Sequence, residues 1–147
     1  MQASMTVTGY VGHDIELRQT KTGVSTVNFR IGTTPRIKKD NEWLDGVTTW
    51  TSVVCYRNLA DHVAKSLKKG QPVVVHGRVR TQTWNDAQDV QHDRTFVEAI
   101  TVGHDLTKGV ASFEKAVRPG SASEDSVVML SPEPEDAADD EDIALAV

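Results

Sequence analysis

The stretch Asn58-Leu-Ala-Asp-His-Val-Ala-Lys-Ser-Leu-Lys-Lys-Gly-Gln-Pro72 decides the fold, because it predicts one well-bounded helix in a chain that otherwise reads as strands. Leu59, Val63 and Leu67 recur at helical spacing, with an alanine beside each of the first two. The predicted boundary signals are Asn58 as N-cap, Lys68 and Lys69 in the last turn, Gly70 as the residue just past the helix and Pro72 as the stop.

Strand patterns surround this helix on both sides. Met5–Gly12 is rich in Val and Thr, Val27–Ile31 alternates apolar with polar residues, and Val47–Tyr56 leads into the helix. After the helix, Val73–Trp84 predicts a long strand and Arg94–Val102 a last one. Short strands with a single helix before the final pair predict an all-β fold, a small barrel closed by that helix. The five-stranded OB-fold barrel with one helix is one such fold.

Charge divides the chain into two parts. All 16 Lys and Arg residues lie between Arg18 and Arg118, whereas residues 119–147 hold nine acids and no base. Twelve of the 21 acids therefore precede residue 119, which leaves the first part with a net charge of +4. This asymmetry suggests a polyanion as the partner of the first part and an interaction arm in the second, although an acidic tail can also serve solubility alone.

Composition predicts that the acidic part does not fold. Its Pro-, Ser- and acid-rich sequence has few large apolar groups, so burial cannot offset the entropy of ordering the chain. We expect an OB-fold domain over residues 1–106 and a disordered acidic tail over residues 107–147. No apolar run of 18 residues and no signal-peptide pattern is present, and the single cysteine excludes an internal disulfide, so we expect a cytoplasmic protein without a membrane span.

Strand periodicity places basic and aromatic side chains together on Val73–Trp84. Arg78, Arg80 and Trp84 share the face opposite a row of valines, and His76 lies on their side. Exposed rings beside arginines suit single-stranded nucleic acid, because stacking contributes about 1–3 kcal/mol per base. Arginine adds phosphate contacts and stacks on rings.

The strand before the helix carries two further aromatic side chains. Trp50 and Tyr56 share one face, Cys55 points the other way into the predicted core, and Arg30 points away from the apolar row of its own strand. Burial in the core or in a subunit interface is an equally good interpretation of the two rings from periodicity alone.

Pro35–Gly46 is polar and is predicted to be a long hairpin loop. Such a loop could wrap a strand of nucleic acid, but acids are interleaved with its bases, so a merely solvated loop explains the composition equally well. The aromatic and basic residues of the loop are Arg36, Lys38, Lys39 and Trp43.

The sequence offers no site for catalysis. Its five histidines show no HxxxH spacing and one cysteine cannot make a CxxC pair, so a zinc site is not expected. No GxxxxGK[ST], GxGxxG or GxSxG motif occurs. We therefore expect no enzymatic activity, no metal and no cofactor.

Two segments resemble bacterial single-stranded DNA-binding proteins of the tetrameric OB-fold type. Thr49-Trp-Thr-Ser-Val-Val-Cys-Tyr-Arg-Asn-Leu-Ala60 is similar to the family's strand-to-helix passage, in which a Trp and an aromatic six residues later precede a [KN]-L-A helix start. Leu67–Trp84 is similar to the pattern L-x-K-G-x-x-V-x-[IV]-x-G-x-[LI]-x-x-x-x-[WY]. The resemblance, which covers about Met5 to Leu106, implies a nucleoid-associated homotetramer that coats single-stranded DNA in replication, recombination and repair.

The resemblance also implies roles for individual residues. Trp50, Tyr56 and Trp84 fall on the family's base-stacking positions. A further family tryptophan falls near Arg36, for which Trp43 is a substitute in a different register. Basic residues that often precede the family's last Trp are replaced here by Gln82 and Thr83, which suggests weaker or rearranged DNA contacts. The predicted phosphate contacts are Arg30, Arg36, Lys38, Lys39, Arg57, Arg78 and Arg80.

The tail departs from the family at its tip. There the acidic arm usually ends in Asp-Asp-Ile-Pro-Phe and docks replication and repair enzymes, whereas here Asp139-Asp-Glu-Asp-Ile143 is followed by Ala-Leu-Ala-Val. The partner-binding candidates are Asp139, Asp140, Glu141, Asp142 and Ile143. Two alternatives stay open: a paralogous interaction or regulatory module that binds DNA weakly, and an RNA-binding OB module with a preference for 2′-hydroxyl groups.

Overall fold

The computed structural model describes residues 1–118, so the predicted acidic arm and its partner-binding candidates Asp139–Ile143 lie outside the described residues. Met1–Ser112 form one compact unit, and residues 113–118 are exposed and carry no helix or strand. The boundary expected at residue 106 stays a prediction. The elements are β1 (Ser4–Val11), β2 (Leu17–Gln19), β3 (Ser25–Thr33), β4 (Arg36–Lys39), β5 (Glu42–Asp45), β6 (Thr49–Tyr56), α1 (Arg57–Ser66), β7 (Pro72–Asn85) and β8 (Gln91–His104).

Five strands close into a barrel. The sheet runs in the order β1-β7-β8-β6-β3, and β1 also pairs with β3, so the first and last strands of the row meet. β6 and β8 run parallel, and the other pairs are antiparallel. β2 extends the sheet beyond β3. The all-β, five-stranded OB-fold with one helix is thus confirmed.

The barrel interior is filled by the alternate apolar residues that the strand patterns predict. Val27, Phe29 and Ile31 of β3 are fully buried, while the residues between them are exposed. Cys55 is also fully buried, as predicted, and this burial raises the pKa of its thiol to about 12. The helix packs on this core through Ala60 and Val63, with Leu59 and Ala64 partly buried against it, and Leu67, just past the helix end, is buried in the same core.

The helix boundaries differ from the predicted ones at both ends. α1 begins at Arg57, so Asn58 is not its N-cap; Tyr56 precedes it and makes no side-chain capping bond. Arg57 has a φ of 59°, because the chain turns sharply there from β6 into the helix without a loop. At the other end Leu67 is already extended, so Lys68 and Lys69 lie beyond the helix rather than in its last turn.

Residues 35–46 form a regular hairpin rather than a loop. β4 and β5 pair as a separate two-stranded sheet, and the turn between them is Asp40-Asn41, with φ values of 50° and 67°. Two consecutive positive φ angles are typical of the tight turn that joins two twisted strands. A second hairpin, β7–β8, is longer than predicted, with strands that run to Asn85 and restart at Gln91.

Candidate nucleic-acid interface

The outward-pointing side chains of β3, β6, β8 and β7 form one continuous surface, which we call the outer face. Residues directly opposite one another in paired strands point to the same side of a sheet. Arg30 is opposite Ser52, Val54 is opposite Glu98, and Arg78 is opposite Glu98 from the other side. Strand pairing therefore brings the predicted rings and arginines to one surface: Trp50, Tyr56, Trp84, Arg30, Arg78 and Arg80.

Trp50 lies on a seat made by two glycines. A Cβ added at Gly32 would lie 3.0 Å from the Trp50 ring atom Cζ3, and a Cβ at Gly12 would meet the same ring atom at still closer range. Gly32 is opposite Trp50 across the β3–β6 pair. The ring rests against bare backbone on this side, yet 55% of the residue remains exposed. Trp50 is thus held in place while part of its surface stays open to solvent.

Trp84 is positioned by a stack near the end of the β7–β8 hairpin. Its ring and that of His92, directly opposite, lie 5.7 Å apart between centroids at an interplanar angle of 24°. The His92 Nε2 lies 2.8 Å from Asp86 Oδ2, and Asp86 Oδ1 accepts hydrogen bonds from the Gln88 and Val90 backbone N–H groups, each at 2.9 Å. Asp86 therefore ties the turn to the ring that stacks on Trp84.

Acid should loosen this turn. The hydrogen bond with His92, followed by that from Val90, holds the pKa of Asp86 below its ordinary value of 3.8. Because the pKa of Asp86 is lower in the folded protein than in the unfolded chain, ionised Asp86 stabilises the turn fully at any pH above its ordinary pKa. This stabilisation is lost as the pH falls through the pKa of Asp86 in the folded protein. We expect the amide resonances of Gln88 and Val90 and the indole resonance of Trp84 to shift together in that acid range in an NMR titration.

Two asparagine variants separate this effect from general acid unfolding. Asp86→Asn should abolish the concerted shift, because the side chain no longer titrates. Asp89→Asn is the matched control, since Asp89 lies in the same turn but bonds the side-chain amide of Asn85 and not His92. A concerted shift that persists in Asp86→Asn would contradict the prediction.

The arginines of the outer face are not equivalent. Arg80 donates through Nε to Glu98 Oε2 at 2.8 Å, so contact with a phosphate would require it to leave or share this ion pair. Within residues 1–118, Arg30 and Arg78 of the outer face are in none of the ion pairs, and neither is Arg57 at the start of α1. All four residues are exposed.

The remaining predicted contacts lie on the separate β4–β5 hairpin. Lys38 is opposite Trp43, which is 60% exposed, and Lys39 is opposite Glu42. Arg36 Nε lies 3.6 Å from Asp45 Oδ1. The hairpin thus presents two lysines and a ring to solvent, in a sheet of its own rather than on the outer face.

Sequence reasoning missed Arg94 as a site residue. The β7–β8 register places it opposite Gln82 and on the outer face, two residues along the strand from His92. It supplies a positive charge beside Gln82, where the family pattern often has a basic residue. Counting pairs outward from a turn at 85–93 places Arg94 opposite Trp84, two residues from its observed partner Gln82, so the sequence did contain a signal.

Within the described part of the chain, no cluster of three or more His, Cys, Asp or Glu side chains could hold a metal ion. No helix among residues 1–118 has both the length and the apolar character that a membrane crossing requires.

Comparison with known proteins identifies the family. The model of the single-strand binding protein family matches residues 3–105. The chain belongs to this family. The family match spans the whole barrel, including the outer face, and so confirms the resemblance drawn from Thr49–Ala60 and Leu67–Trp84.

Two single-stranded DNA-binding proteins resemble the chain over most of its length. The chain is 36% identical over 121 residues to the single-stranded DNA-binding protein of Corynebacterium glutamicum, covering 81% of this chain and 54% of the relative. It is 33% identical over 113 residues to single-stranded DNA-binding protein 2 of Streptomyces coelicolor, covering 76% and 57%. The match therefore spans only just over half the length of these two relatives.

A solved structure in the family shares the fold. The crystal structure of the small single-stranded DNA-binding protein from Streptomyces coelicolor superposes with a TM-score of 0.63 at 30% sequence identity. The superposition covers 74% of this chain and 99% of the other.

Proposed function

We propose that this protein binds and coats single-stranded DNA without strong sequence preference, and that it has no enzymatic activity. The observation that carries the proposal is the outer face, on which Trp50, Tyr56 and Trp84 are 55%, 40% and 45% exposed beside arginines. Large rings left open to solvent on a basic surface suit base stacking combined with phosphate contacts. Family membership and the names of the relatives support the same function.

Titration with oligo(dT) tests the proposal. We expect strong quenching of the intrinsic tryptophan fluorescence and an affinity that falls with salt, with a slope of log K against log[salt] near −0.7 per phosphate contact. Duplex DNA of the same length is the control and should quench weakly. Absence of quenching at low salt would contradict the proposal and favour the protein-interaction module; tighter binding of oligo(U) would favour an RNA-binding protein.

We also propose that the protein assembles into a homotetramer in the cytoplasm, at the nucleoid. Three further exposed apolar side chains support self-association: Met5, Tyr10 and Ile100 are 43%, 50% and 50% exposed. Analytical ultracentrifugation of the full chain tests this, with a single species of four times the 16.1 kDa chain mass expected. A monomer at micromolar concentration would contradict it.

The acidic arm is assigned a second role from its composition. The nine acids of residues 119–147, with no base among them, would compete with DNA for the positively charged residues that precede residue 119. Bound DNA would then release Asp139–Ile143 for replication and repair proteins. Deletion of residues 119–147 should raise the affinity for oligo(dT) and change its salt dependence. An unchanged affinity and slope would contradict the competition.

A further inference from the structure

A polar cavity of about 480 Å³ opens beside the outer face. Of the residues predicted to contact DNA, Arg30 alone lines it. Its walls come from the segment after β1, from β2 and β3, and from Arg94 of β8. Arg30 is opposite Ser52, which lies between Trp50 and Tyr56 on β6. The cavity therefore lies near the stretch of outer face that separates two of the exposed rings. Its charged and titratable lining residues are His13, Asp14, Glu16, Arg18, Arg30 and Arg94.

Two of these cations have no ion-pair partner within residues 1–118. Arg18 is paired, since its Nη2 lies 3.0 Å from Glu16 Oε2. His13 Nδ1 donates to the Asp14 carbonyl oxygen at 2.8 Å. Arg30 and Arg94, by contrast, are in none of the ion pairs of the described residues. They reach the cavity from two different strands, β3 and β8, which are separated in the sheet by β6.

This arrangement fits a phosphate better than a base. A guanidinium group offers a planar fork of N–H donors that matches phosphate oxygens, and two such groups can engage one phosphate from different directions. Arg30 and Arg94 carry two positive charges, and Asp14 is the one cavity acid outside the Arg18–Glu16 pair. The cavity lining therefore carries only a small net positive charge. This charge suits a phosphate of a nucleic-acid strand that is already bound to the outer face, and is too small to concentrate free anions.

We propose that Arg30 and Arg94 together hold one backbone phosphate of single-stranded DNA in this cavity, between the bases that stack on Trp50 and Tyr56. The inference rests on the proposed function and assigns a residue, Arg94, that neither the sequence motifs nor the family pattern singled out. Arg94 is opposite Gln82 across the β7–β8 pair, on the same face as Trp84.

The test is a double-mutant cycle on oligo(dT) binding at several salt concentrations, using Arg30→Ala, Arg94→Ala and the double variant of the full chain. Each single variant should lose about threefold to tenfold in affinity, as expected for one charge-assisted contact. The salt slope of the double variant should fall by about 0.7, the value for one phosphate, and not by twice that amount. Lys65→Ala, on the exposed side of α1, is the control and should leave affinity and slope unchanged.

The outcomes are distinguishable. If the unmodified chain does not bind oligo(dT), the proposed function fails and takes the inference with it. If it binds but Arg30→Ala and Arg94→Ala match Lys65→Ala, only the inference is overturned. A slope loss of about 1.4 in the double variant would mean two separate phosphates and would overturn the shared site. Arg94→Lys keeps the positive charge but lacks the planar guanidinium group, and it provides a second test in case Arg94→Ala does not fold. Full affinity in Arg94→Lys would overturn the role of the guanidinium geometry.

Discussion

Alanine in place of both Trp50 and Trp84 should weaken binding to oligo(dT) at least thirtyfold. Each ring that stacks on a base contributes about 1–3 kcal/mol, so two rings together account for about 2–6 kcal/mol of binding free energy. Both residues are about half exposed, so their removal costs less core packing than the loss of a buried ring. Anisotropy of a labelled oligonucleotide is the suitable measurement, because the double variant retains only Trp43 as an intrinsic reporter.

Matched variants show whether stacking is the cause. Phenylalanine at both positions keeps a flat ring and should recover most of the affinity. Phe113→Ala removes an aromatic ring that is 90% exposed outside the strands and should have no effect. A thermal melt of each variant checks that the barrel is intact. If the alanine double variant binds within threefold of the unmodified chain while remaining folded, the rings do not stack on DNA.

The rings and arginines of the outer face could be predicted because they depend on local periodicity. Alternation along Val73–Trp84 separates the buried Val73 and Val75 from the exposed Arg78, and the structure shows the same separation. The same argument places Cys55 inside and Trp50 outside. Each inference needs only the rule that successive side chains in a strand point to opposite sides.

The cavity and the seat of Trp50 could not be predicted in this way, because they depend on strands that are distant in the sequence. The seat needs Gly12 and Gly32 to lie against Trp50. The cavity needs Arg30 of β3 and Arg94 of β8 to line one space, which depends on the pairing of both strands with β6. Local patterns do not specify which strands become neighbours. Parallel pairing in particular leaves no turn signal, since its strands are far apart along the chain.

The errors at the helix and the hairpin have local causes. The pattern predicts Asn58 as N-cap, because Asn suits that position when a loop precedes the helix. Here the strand runs directly into the helix and Arg57 takes the left-handed conformation instead. The largely polar composition of residues 35–46 predicts a loop, although the pair Asp40-Asn41 is typical of a two-residue turn with positive φ angles.

Valine in place of Gly77 should destabilise the barrel by about 3 kcal/mol or more, at the upper end of the cost of overpacking. Gly77 lies at the bulge in the β7–β8 pair. A Cβ there would fall on the carbonyl oxygen of Glu98, 2.8 Å from Cγ1 of Val97 and 2.9 Å from Cα of Ala99. Two of these atoms belong to the backbone of β8, so they cannot move away from the added side chain unless β7 and β8 separate. Urea denaturation should show the loss as a lower midpoint of unfolding.

Gly103→Ala is the matched control, because a Cβ at Gly103, in the partner strand β8, meets no atom within 4 Å. It should be neutral or slightly stabilising, by up to about 1 kcal/mol, since alanine restricts the unfolded chain. Equal midpoints for the Gly77 and Gly103 variants would show that the strands can move apart at the bulge without cost. The bulge directly precedes the row of Arg78, Arg80 and Trp84. A Gly77 variant that folds only by shifting β7 against β8 should therefore also lose affinity for oligo(dT), because Trp84 would no longer face His92 and Gln82 would no longer face Arg94.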